Sequence, residues 1–152
     1  MADKRQTTRP TTRPTTRATT RPDSRQAEAR GSAVQPSRRP GVYGEAEVRE
    51  RLKGLPGWSY EGGWIRRQYK TDGWPTTLML VGAIGYVAEA AYHHPDLEVS
   101  WGKVVVRIRS HEAGGVTDKC LALARKIEEI ALWRPAPGDA LTGTPNKFVR
   151  GE

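Results

Sequence analysis

The chain has 152 residues, 36% of them hydrophobic, with a formal net charge of +8. Its lone cysteine, Cys120, excludes an intramolecular disulfide and points to a reducing compartment, the cytoplasm. No window approaches the length of apolar chain that a membrane-spanning helix needs, and the first residues lack the apolar core of a secretory signal. The charge is confined to one end. Residues 1–39 carry ten Lys or Arg against three Asp or Glu, whereas residues 40–152 carry fifteen against fourteen. A near-neutral body excludes the reading of a basic nucleic-acid-binding fold.

The basic end is repetitive. Residues 7–22 read as Thr-Thr-Arg-Pro units, the third ending in alanine instead. Proline at this period removes backbone donors and forbids a continuous helix, and nothing apolar offsets the entropy of ordering. The composition predicts a disordered Thr/Arg/Pro-rich tail over 1–42, partly extended. Its uses are a solvated linker, an arm that finds an acidic protein partner or RNA by charge, or an organelle transit peptide, which the prolines oppose.

A compact domain is expected over 43–132, with an irregular Pro/Gly-rich extension over 133–152. Val48, Leu52 and Leu55 fall at i, i+4 and i+7 of a short first helix that ends at Gly54 and Pro56-Gly57. Trp58–Tyr60 and Trp64–Tyr69 read as strands joined by a glycine turn at Gly62-Gly63. Trp74-Pro75 opens a second helix that runs to Tyr92 and is apolar nearly all round, for burial in the core or at a subunit contact. Leu97, Val99 and Trp101 alternate with polar residues, and Val104, Val106 and Ile108 share one face of the next strand, with His111 at its end. Thr117 caps a last helix whose buried stripe is Cys120, Ala124, Ile127 and Ala131, with Arg125, Lys126, Glu128 and Glu129 outside. The order αββαββα, built of hairpins, predicts an α+β fold: a four-stranded antiparallel sheet with helices packed on one face.

The chain has three histidines, and two are adjacent, His93-His94-Pro95. Pro95 disfavours helical geometry at His94, so the pair marks the end of the second helix. Glu89 lies four residues before His93 and can share its helical face. The hairpin that follows can return His111 to the pair. Imidazoles grouped in this way suit proton transfer near neutral pH. They also suit zinc in type, but neighbouring histidines do not readily aim both rings at one ion, and no Cys or HExxH pattern assists, so no metal is expected.

At these residues the chain resembles the pterin-4a-carbinolamine dehydratases. Their signature has an acidic or polar residue ahead of His-His-Pro, then an aromatic, a further histidine and an aspartate. Here the matches are Glu89, His93-His94-Pro95, Trp101 and His111, and the likeness spans about residues 43–132. The family's aspartate stands in a Thr-x-x-Asp context, where this chain has Thr117-Asp118-Lys119-Cys120; Asp118 is two residues early. The resemblance implies dehydration of a 4a-hydroxytetrahydropterin without cofactors. His94 and His111 would be the acid–base pair and His93 the binder and orienter, with Glu89, Trp101 and Asp118 in support. It also implies a homodimer or homotetramer. The alternative it carries is a binding protein without catalysis, such as an assembly factor for the carbon-fixing enzyme of carboxysomes or a transcriptional dimerisation cofactor.

Overall fold

The structure, a computed structural model, describes residues 41–152. The expected basic tail lies outside these residues but for Gly41 and Val42. Helix α1 (Glu45–Leu52) carries Glu45 and Glu47 in its first turn and Arg49 and Arg51 in its last, the arrangement its dipole favours. Its one inward face buries Val48 and Leu52.

Strands β1 (Ser59–Glu61) and β2 (Trp64–Thr71) pair through Glu61 and Trp64 across Gly62-Gly63. Both glycines have φ above zero, 56° and 87°, which a two-residue turn of the primed kind requires. Helix α2 (Trp74–Ala90) starts with Pro75 in its first turn. At its start the buried Thr77 hydroxyl lies 2.9 Å from the Trp101 carbonyl and 2.5 Å from Thr71 Oγ1. Strands β3 (Asp96–Ser100) and β4 (Lys103–Ile108) form the second hairpin, and helix α3 (Asp118–Ala131) follows. No helix among the described residues is long and apolar enough to cross a membrane.

The sheet is antiparallel, in the order β1-β2-β4-β3. Ile65 and Tyr69 of β2 and Val104, Val106 and Ile108 of β4 alternate inward, and Leu80, Ile84, Leu121, Ala124 and Ile127 of the helices close over them. The α+β architecture is as the sequence predicts, with two differences. A fifth strand, β5 (Val149–Gly151), pairs with Tyr69–Thr71 of β2, so part of the segment expected to be irregular joins the sheet. Glu128, expected on the outside of α3, instead turns inward. Its carboxylate accepts hydrogen bonds from Trp58 Nε1, Arg67 and the Tyr69 hydroxyl, because the buried Arg67 needs a counter-charge. Burial, followed by that hydrogen bond, pushes the Tyr69 phenol far above its ordinary pKa.

Candidate active site

The end of α2 is where the histidine pair is set. The helix closes with Tyr92 N–H donating to the Glu89 carbonyl and His93 N–H to the Ala88 carbonyl. These two bonds, with Tyr92 at φ 49°, are the left-handed terminator that glycine usually supplies. Tyrosine holds this conformation at a steric disadvantage. The reversal sends the two histidines in different directions.

His93 turns beneath the helix end toward α3, where its Nε2 lies 3.3 Å from Cys120 Sγ. It is half-buried. Burial pushes its pKa below the ordinary value, and the charges of Lys119, His94 and His111 push the same way. His94 and His111 are thus both within electrostatic reach of His93. His94 stays at the surface, its Nε2 3.0 Å from Glu89 Oε2. The predicted partnership of Glu89 with His93 is therefore replaced by one with His94, because the left-handed Tyr92 ends the helical spacing on which that expectation rested. His111 lies beyond the end of β4, in the loop closed by the Ser110–Gly115 bridge, with Nε2 3.8 Å from Asp96 Oδ1. Its ring meets the Trp64 ring edge-on at 5.6 Å between centroids, and the Arg107 and Arg109 guanidiniums lie over that indole.

Two predicted supports stand elsewhere. Asp118 faces Tyr43, whose hydroxyl it accepts, a contact that raises the phenol's pKa. Trp101 lies in the β3–β4 turn, at the opposite end of β3 from Pro95, and its ring packs near Gly73. A strand of this length separates it from the histidines by roughly 17 Å. The structure adds residues not foreseen as site partners: Asp96, Trp64 and, as a contact of His93, Cys120. The Asp96 pairing was hidden because it depends on the β3–β4 register, which sets Asp96 opposite Arg107 near the His111 loop. Among the described residues no group of three His, Cys, Asp or Glu side chains is arranged to hold a metal ion. A cleft of about 460 Å³ is lined by Ser110, Glu112, Thr117 and Lys119 among others, residues that flank His111 and Cys120 in the chain; none of the three histidines lines it.

Comparison with known proteins gives the family. The family model described as pterin 4 alpha carbinolamine dehydratase matches residues 42–130. This chain belongs to that family. A protein of Aquifex aeolicus (strain VF5), provisionally named a pterin-4-alpha-carbinolamine dehydratase, is 45% identical over 86 residues, 57% of this chain and 87% of its own. One from Roseiflexus sp. (strain RS-1), provisionally named alike, is 41% identical over 86 residues, covering 57% of this chain and 92% of its own. Among solved structures, a transcriptional coactivator/pterin dehydratase from Brucella melitensis matches with a TM-score of 0.56 at 29% identity, over 59% of this chain and 98% of its own.

Proposed function

We propose that the chain dehydrates a 4a-hydroxytetrahydropterin to quinonoid dihydropterin and water. The observation that carries this reading is the pairing of two exposed histidines with separate carboxylates, His94 with Glu89 and His111 with Asp96, both within electrostatic reach of a half-buried third imidazole. The reaction asks for this division. The proton on N5 of the pterin is removed by one imidazole, the C4a–O bond breaks, and a second imidazolium protonates the departing hydroxyl as water. The electron pair of the N5–H bond becomes the new C=N bond, so nothing is oxidised and no cofactor enters. Each carboxylate lies beside its partner imidazole and holds that ring in place for the exchange. His93, held neutral by burial, binds and orients the ring. The reducing cytoplasm suits a chain whose lone thiol lies beside this site.

The test is turnover of a 4a-hydroxytetrahydropterin followed by absorbance. His94→Ala and His111→Ala should each lower kcat by roughly 10²–10⁴, the span typical of a general acid or base. Full activity in both variants would overturn the assignment. A second reading, a binding protein without catalysis, draws on the coactivator half of the Brucella melitensis protein's title and on cysteine at position 120. Under that reading the unaltered chain shows no turnover, and removal of residues 1–40 weakens capture of an acidic partner.

A further inference from the structure

Cys120 is fully buried and sits in the first turn of α3. Its sulfur touches three groups: Thr117 N at 3.4 Å, Thr117 Oγ1 at 3.5 Å and His93 Nε2 at 3.3 Å. The backbone N–H of Thr117 can only donate, so there the sulfur is the acceptor. The first of these, with the Cys120 backbone N–H facing the Thr117 side chain in return, is the reciprocal cap at the start of α3, with cysteine where a Glu or Gln side chain more often reaches back. The sulfur is therefore fixed by the helix itself; the Thr117 hydroxyl, which can donate as well as accept, can give its own proton to the sulfur, and the thiol proton is then available to the imidazole.

We propose that Cys120 is a positioning residue for His93: its thiol donates to Nε2, so that Nδ1 carries the ring proton and presents it to the bound substrate. The described residues supply no acceptor for Nδ1, which leaves that donor for a ligand. The contact joins the end of α2 to the start of α3, so one hydrogen bond sets both the tautomer and the angle of the ring. It also brings no negative charge. A carboxylate at position 120 would favour the imidazolium, whereas a thiol does not. The other charged or titratable groups that act on His93 are Lys119 of α3, His94 beyond α2, and His111 in the loop after β4. All three disfavour its protonation when they are charged, in line with a ring kept neutral.

This inference deepens the dehydratase reading and rests on it for the role given to Nδ1–H. The experiment separates the two. In the full chain labelled with ¹⁵N at histidine, long-range ¹H–¹⁵N correlation at pH 7.5 reports the tautomer of each ring. The expected result is His93 protonated on Nδ1, with that signature kept in Cys120→Ser and lost to the Nε2–H form in Cys120→Ala. Turnover should fall roughly fivefold in Cys120→Ala and recover in Cys120→Ser, as for loss and return of one neutral hydrogen bond. In Cys120→Asp the His93 titration should move upward. His93 protonated on Nε2 in the unaltered chain would overturn the proposal, as would a tautomer unchanged in Cys120→Ala. Should Cys120→Ala fail to fold, the unaltered chain and Cys120→Ser still decide. A chain with the Nδ1–H form but no dehydration would support this assignment and overturn the dehydratase reading.

Discussion

The backbone at Tyr92 explains the divergence of two histidines that are neighbours in the chain. A helix continued through position 93 would have stacked His93 over Glu89; the left-handed residue at 92 instead gives Glu89 to His94 and His93 to Cys120. One consequence can be measured as pH falls. The His93 imidazole has a folded-state pKa below its ordinary value, so the unfolded chain binds the proton more readily. Its contribution to stability is therefore present above the ordinary histidine pKa, about 6.5. It is lost progressively as pH falls through the depressed one. Denaturant melts of the unaltered chain and His93→Gln between pH 7.5 and 5 check this. The stability of the unaltered chain relative to the variant should decline on acidification; a constant difference would contradict the neutral, half-buried ring.

At the scale of elements, the sheet and α3 are tied by charge as well as by apolar packing. Arg67 points inward from β2 with a side chain 6% exposed, and its guanidinium meets Glu128 of α3 at 2.9 Å. It also reaches the Glu152 carbonyl next to β5. The guanidinium fills the space beside Gly57 and Gly151, where a β-carbon would come within 2 Å of its nitrogens. Removal of one partner from a buried pair leaves the other charge unmatched. Glu128→Ala should therefore destabilise the domain by about 3–5 kcal/mol, measured by urea unfolding. The double variant Arg67→Met with Glu128→Leu should recover much of that loss. The pair was not legible beforehand: Glu128 lies among Arg125, Lys126 and Glu129, a run that reads as a solvated face until β2 places an arginine opposite it.

For the molecule as a whole, the question is what covers α2. Its inner face is buried at Thr77, Leu80, Ile84 and Ala88, but Leu78, Met79 and Tyr86 remain 48%, 67% and 77% exposed. A contiguous apolar surface of this kind marks a subunit contact more often than a solvated helix. We propose that the homodimer or homotetramer implied by the family resemblance buries it. Light scattering should give a multiple of the 16.9 kDa chain mass, reduced to a single chain in the double variant Leu78→Glu, Tyr86→Glu. A monomeric unaltered chain at micromolar concentration would contradict the proposal.

Local patterns settled the elements. Apolar residues at helical or strand spacing, glycines where a turn needs φ above zero, and the proline after the histidine pair depend only on neighbours in the chain, and so αββαββα and the stripe of Cys120, Ala124, Ile127 and Ala131 could be read directly. The histidine pair was legible for the same reason. Its partners were not. Cys120 beside His93, Asp96 beside His111, Glu128 beneath Arg67 and β5 on the edge of β2 are contacts between segments far apart in sequence. They depend on strand register and on how the end of one helix meets the start of another. No local pattern specifies those distances; only packing the whole domain against its sheet decides them.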